Sequence, residues 1–214
     1  MVESAVTVAP TEAGVGRRAV SPVAHLSERF AAAQVDGPRA VQIREVAFQT
    51  MVGVRSAPAT AAAARIETRL GAPLPTACGS VSAGDGVSVL WFSPDEFLVI
   101  TDEQPAQVAS RLVEALDGEP GSVTDLSANR TTFELSGPSA RSVLEKGCPL
   151  DLHPRSFDVG SAYLTLIGSV PVVLWKLDQE RYWILPRSSF ADFLGRWLID
   201  AMAEFKAPEL VEWP

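Results

Sequence analysis

From Ser21 to Phe205 the apolar residues follow two rhythms, strict alternation and helical recurrence, punctuated by Gly and Pro. Ser21-Pro22 is placed to cap a short helix through Phe30, with Val23, Leu26 and Phe30 on one side. Val41, Ile43, Val46 and Phe48 lead into Met51-Val52-Gly53-Val54-Arg55 as strand. Ser56-Ala57-Pro58 then opens an Ala-rich helix that reaches Leu70 and ends at Gly71. Pro73 to Gly86 reads as a turn-rich connection. Val87 to Trp91 and Glu96 to Thr101 form a hairpin across Ser93-Pro94-Asp95, and Pro105 starts a helix with Val108, Leu112, Ala115 and Leu116 inward.

Thr131 to Leu135 alternate as a strand, and Ser136-Gly137-Pro138 stops it and begins a helix whose apolar face is Ala140, Val143 and Leu144. Gly147 follows where a left-handed cap would end that helix, and Cys148-Pro149 turns the chain away. The last helix opens on Ser189 and Asp192 in a capping-box-like arrangement. Phe190, Phe193, Leu194, Trp197, Leu198, Ala201, Met202 and Phe205 recur along it at helical spacing, which reads as a core-facing helix.

Short matches relate the two halves. Val89-Leu90-Trp91 with Glu96 corresponds to Val173-Leu174-Trp175 with Glu180, and Ser56-Ala57-Pro58 corresponds to Ser136-Gly137-Pro138. The expected fold is therefore α+β, built from duplicated βαββα units with helices over mostly antiparallel sheet. The half-repeats run over about 41–127 and 128–206 of a domain spanning 21–206. Residues 1–20 are expected to be a flexible N-terminal tail and 207–214 a C-terminal tail carrying Trp213, either a frayed end or a docking peptide.

Composition narrows the function classes. At 214 residues the chain can bury roughly 70% of its unfolded surface without staples. It has only Cys78 and Cys148, outside any C-x-x-C pair, so neither a disulfide framework nor a cysteine zinc site is expected. A net charge of −8 opposes a nucleic-acid partner. No apolar run approaches the roughly 20 residues of a membrane span, and the N-terminus lacks the order of a signal peptide, so a cytoplasmic location is expected. Gly14 to Ala19 superficially matches a dinucleotide fingerprint, but Pro10 and Pro22 stand where strand and helix would be needed.

Candidate chemistry is sparse. The chain has two histidines, neither in a catalytic motif, and no nucleophile elbow, P-loop or paired metal-ligand spacing. His25 reads as solvent-facing, and His153 before Pro154 as structural or interfacial. Asn129-Arg130 lies between two predicted strands. It is either a hairpin turn with a surface ion pair or a presentation of Arg130 to a partner or ligand. Cys148 reads as buried and inert, and Trp91, Trp175, Phe190, Phe193 and Trp197 as core. Arg130, Lys146, Asp151, His153 and Arg187, which sit near predicted element ends and within runs that resemble a known family, are the candidate partner-interface residues. No catalytic, cofactor-binding or metal-binding residue is assigned.

Four runs carry a resemblance: Asp125-Leu126-Ser127-Ala128-Asn129-Arg130-Thr131, Leu135-Ser136-Gly137-Pro138, Glu145 through Pro154, and Arg187 through Asp192. With them the chain resembles the gamma subunit of heterotetrameric sarcosine oxidase from about Ser21 to Phe205. That family is similar in fold to the folate-binding module of the glycine-cleavage T-protein. Lys146-Gly147-Cys148 with Asp151 also resembles the K-G-C-x-[ST]-[DE] signature of folate-binding proteins linked to iron-sulfur maintenance, although Leu150 stands where a hydroxyl is expected.

The resemblance implies a non-catalytic subunit packed on a large partner. The complex would oxidise sarcosine to glycine, pass the one-carbon unit to tetrahydrofolate and form hydrogen peroxide. FAD, FMN, NAD, tetrahydrofolate and zinc would then belong to the alpha, beta and delta subunits, with none in this chain. The corresponding subunit of an N-methylglutamate dehydrogenase, or a stand-alone folate-binding one-carbon protein, are the rival expectations. A subunit of this kind is expected to expose an apolar patch when isolated.

Overall fold

The computed structural model describes residues 20–206. The Gly14–Ala19 match, the C-terminal tail with Trp213, and all of the expected N-terminal tail except Val20 lie outside the described residues. In chain order the elements are α1 (Ser27–Ala33), β1 (Gln42–Glu45), β2 (Thr50–Ser56), α2 (Ala61–Leu70), β3 (Val81–Gly84), β4 (Val87–Ser93), β5 (Glu96–Thr101), α3 (Pro105–Leu116) and β6 (Gly121–Asp125). They continue with β7 (Phe133–Ser136), α4 (Ala140–Glu145), β8 (Ala162–Ile167), β9 (Val170–Asp178), β10 (Arg181–Pro186) and α5 (Ala191–Met202).

Alternation along the strands builds four layers. In β5, Phe97 and Val99 point toward α2 and α3, joining Val52, Ile66, Val108 and Leu112. Leu98 and Ile100 point the other way and meet Val173, Trp175 and Leu185 of the second sheet. That second sheet packs its far face, with Phe133, Leu135 and Leu174, on α1, α4 and α5. The order is thus helices, sheet, sheet, helices. Both sheets are five-stranded, β3-β4-β5-β2-β6 and β8-β9-β10-β7-β1, and every pairing is antiparallel.

The two strand orders correspond position for position, but the repeat differs from the βαββα expectation. Each half places three strands between its helices, because β3 and β8 form within stretches that lack clean alternation. The matched tryptophans are not equivalent either. Trp91 packs on the helix side of its sheet, whereas Trp175 lies between the sheets. A one-residue slip reverses every side chain of a strand, so the sequence match at constant offset is out of step with the faces.

The run from Val41 to Arg55 is broken as well. β1 joins the second sheet through β7, and β2 lies between β5 and β6 in the first. The chain crosses between sheets at residues 46–49, where Phe48 has φ 61° and the Val46 amide donates to the Thr132 carbonyl.

Local starts and stops also differ from expectation. Ser21 does not cap the first helix; its hydroxyl donates to Glu45 at 2.5 Å. Thr60, not Ser56, caps α2 by accepting from the Ala63 amide at 3.1 Å. Gly71 does end α2 in the left-handed region with φ 65°. Gly147 does not adopt that conformation. It is small because a Cβ there would lie 2.7 Å from the Trp197 ring and 2.8 Å from the Gly168 nitrogen. The capping box at Ser189 is absent; α5 follows a 3₁₀ turn over 188–190, and Asp192 binds Arg196 and His25 instead.

Candidate partner interface

The inter-sheet layer is covered at one end and bare at the other. On the shared face of β8, β9 and β10 the cross-strand sets are Ala162 with Trp175, then Leu164 with Val173, then Leu166 with Pro171. Ala162, Val173, Trp175 and Leu185 are buried against the first sheet, and Trp175 and Trp183 meet edge to face at 5.5 Å. Toward the Leu166–Pro171 end the opposing sheet stops, and Leu164 and Leu166 are 53% and 42% exposed. Beside them a groove of 630 Å³ is lined by Leu164, Leu166, Pro171 and Phe190 together with Arg130 and Arg187.

The sequence positions the two arginines through one backbone contact. Arg130 and Arg187 form an isolated antiparallel bridge, the Thr131 amide donates to the Pro186 carbonyl, and Ser188 donates from its amide to Asn129 and from its hydroxyl to Ala128. Arg130 Nη1 donates to the Leu185 carbonyl at 2.9 Å, and its guanidinium lies 5.8 Å from the Phe92 ring centroid. Burial, and then the neighbouring Arg187 charge, pull the Arg130 pKa below its ordinary value. Among the described residues no carboxylate lies within ion-pair distance of either arginine. The Asn129-Arg130 segment is thus neither a hairpin turn nor the site of an ion pair, because β6 and β7 on either side belong to different sheets.

The other three candidates do not line this groove. Lys146 Nζ donates to the Ala201 carbonyl, pairs with Glu204 at 3.3 Å and lies 4.9 Å from the Phe205 ring, so it ties α4 to the end of α5. Asp151 accepts from the Ser156 hydroxyl at 2.7 Å and the His153 amide at 3.0 Å. Those two bonds, and then the charges of Arg155 and His153, hold its carboxyl below the usual range. His153 Nδ1 accepts from the Arg155 amide at 3.2 Å, which completes a self-contained turn. These are local structural duties.

Cys148 is buried beside Thr165, and Cys78 is exposed; both are free thiols. His25 is half-exposed and contacts Asp192 at 2.6 Å. Among the described residues there is no cluster of three or more potential metal ligands, and no helix is long and apolar enough to cross a membrane.

Two features escaped the sequence reading. Phe190 and Phe193 are not core: they are 42% and 54% exposed, since α5 buries Leu194, Leu198, Ala201 and Met202 and leaves a second apolar flank outside. The available signal was an apolar arc on α5 too wide for one buried face. Lys176 is the converse, a buried cation in β9 whose ammonium donates to the Phe157 carbonyl at 2.8 Å. Burial lowers its pKa, and Asp158 opposes that shift.

Residues 53–204 match the model of the family described as "Sarcosine oxidase, gamma subunit family". The chain is 49% identical over 192 residues to the sarcosine oxidase subunit gamma of Corynebacterium sp. (strain U-96), covering 89% of this chain and 93% of that protein. It is 49% identical over 189 residues to the corresponding Arthrobacter sp. subunit, covering 88% and 92%. Among solved structures it superposes with TM-score 0.86 and 47% identity on a chain of the heterotetrameric sarcosine oxidase from Corynebacterium sp. U-96 in complex with pyrrole 2-carboxylate, covering 91% of this chain and 99% of that one. The aminomethyltransferase T of the Bartonella henselae glycine cleavage system shares the fold, with TM-score 0.58 at 13% identity over 83% of this chain and 56% of that one.

Proposed function

The chain belongs to the sarcosine oxidase gamma subunit family, and from that premise we propose that it works as a binding subunit of a heterotetrameric sarcosine oxidase. In this reading it contributes no reacting group. Its work is to hold the assembly together by packing on a larger subunit, while the FAD, FMN, NAD, tetrahydrofolate and zinc sites lie in the alpha, beta and delta subunits.

The observation that carries this reading is the bare end of the inter-sheet layer. There exposed Leu164, Leu166 and Phe190 adjoin two arginines that have no carboxylate among the described residues. Isolated surface leucines are ordinary, but a contiguous apolar strip beside uncompensated charge has the make-up of an interface. Lys146, Asp151 and His153, the other three interface candidates, each make contacts within the fold, which fits a scaffolding role.

The test is purification through a tag on this chain from cells that also express the other subunits. A yellow complex of larger mass, whose flavin bleaches on adding sarcosine, is expected. A colourless chain of its own mass would overturn the reading and turn attention to autonomous folate binding. Bleaching by N-methylglutamate in place of sarcosine would keep the subunit role and change the substrate.

A further inference from the structure

We propose that β8 is completed, in the assembled oxidase, by an extended segment of a partner subunit that adds to the sheet as a further strand and directs a carboxylate along the groove to Arg130 and Arg187. This rests on the subunit reading above and deepens it by naming the mode of docking.

Leu166 pairs with Pro171, which has no N–H, so the two cannot exchange ladder hydrogen bonds. Alternation then fixes the rest of β8. Tyr163, Thr165 and Ile167 bond β9, whereas Ala162, Leu164 and Leu166 turn their N–H and C=O groups outward. The Ala162 amide confirms this direction, since it donates to the Gly79 carbonyl at 3.0 Å. Beyond it β8 is the last strand of its sheet, and among the described residues nothing pairs the outward groups of Leu164 and Leu166.

The opposite edge of the same sheet shows what a guarded edge looks like. At β1 the Gln34 side chain accepts from the Ile43 amide at 3.2 Å and donates to the Ile43 carbonyl at 2.8 Å, standing in for a neighbouring strand. Arg44 and Glu45 add charge to that edge. β8, of sequence Ala-Tyr-Leu-Thr-Leu-Ile, has no charge, no proline and no covering amide. Edges left in that state are templates for another chain.

The chemistry of the occupant follows from the lining. Leu164, Leu166, Pro171 and Phe190 accept apolar side chains, and the arginines accept a carboxylate, which the fork geometry of a guanidinium binds in two-point fashion. Arg130 and Arg187 repel each other in the free chain, and an incoming carboxylate relieves that repulsion. The segment is therefore extended and apolar, with one acidic residue.

Hydrogen–deuterium exchange on the full chain, alone and in the assembled complex, tests the inference. The Leu164 and Leu166 amides are expected to slow by at least about tenfold on assembly, while those of Tyr163 and Thr165, already bonded to β9, change less. Leu166→Pro, which deletes one outward donor without touching the β9 ladder, and Arg187→Glu, which reverses a charge, are each expected to weaken assembly by about tenfold or more. A complex that forms with unchanged Leu164 and Leu166 exchange overturns strand addition and leaves the subunit reading intact. Failure to form any complex overturns both. Two further results overturn the partner-strand assignment: protection in the isolated chain that disappears on deleting residues 207–214, or protection that grows with its concentration. The first would give the edge to the chain's own terminus and the second to another copy.

Discussion

Trp175 and Leu164 stand on the same face of neighbouring strands, yet one lies under the opposing sheet and the other in the open groove. The strands themselves do not distinguish them, since both positions obey the same alternation. What distinguishes them is how far the first sheet extends across the second. A face specified by period two is thus used partly for folding and partly for binding, and the boundary is drawn by another element.

The largest expected effect lies at the covered end. Trp175→Ala is expected to lower the unfolding free energy by about 3–5 kcal/mol, read from urea denaturation; a loss near zero would mean the sheets do not pack there. The boundary comes next. The loop at Gly79 covers the start of β8, Gly79 has φ 80° and a Cβ there would run into the Tyr163 ring, so Gly79→Ala should lose at least about 1–2 kcal/mol, from left-handed backbone strain with the ring clash added, in the same measurement. At the open end, Leu164→Ala and Leu166→Ala are each expected to change the stability of the isolated chain by less than about 0.5 kcal/mol. A large loss at either would show the strip to be core.

The smallest expected effect sets the acid limit of these measurements. Arg196, then His25, hold the Asp192 carboxyl down to about 2 from 3.8. A carboxylate with a depressed folded pKa stabilises above the unfolded value, and that contribution is lost as pH falls through the folded one. Asp192→Asn should therefore flatten the stability profile between 3.8 and about 2 while leaving its shape at neutral pH alone, as followed by circular dichroism across that window.

Much of the fold was legible because local rules and tertiary packing agree. Val108, Leu112, Ala115 and Leu116 are the buried face of α3, as their spacing requires, and the β4–β5 hairpin lies where alternation and turn residues place it. The resemblance to the gamma subunit family is matched by the family model and by the relatives at 49% identity. Legibility failed where two buried surfaces compete for one pattern. α5 carries apolar residues on more than one flank, so Phe190 and Phe193 look like core by spacing. Gly147 looks like a helix cap, yet its reason is the Trp197 ring and the Gly168 backbone, both distant in sequence. Of the five interface candidates the structure brings Arg130 and Arg187 to one groove. Leu164 and Leu166, which make that groove apolar, lie in β8, where no clean alternation marks the strand or its bare face in the sequence.

The crossing of β1 into the second sheet bears on how the molecule is made. A ribosome releases β1 before β2, yet the strand that β1 pairs with is β7, which follows every strand of the first sheet. The first sheet can close while Val41 and Ile43 still lack Phe133 and Leu135 to pack on. The order of emergence thus allows a stage with the first sheet paired and the apolar β1 segment waiting beside it. Contacts so far apart along the chain form slowly, and that interval is where a chaperone, or early arrival of a partner subunit, has most to protect.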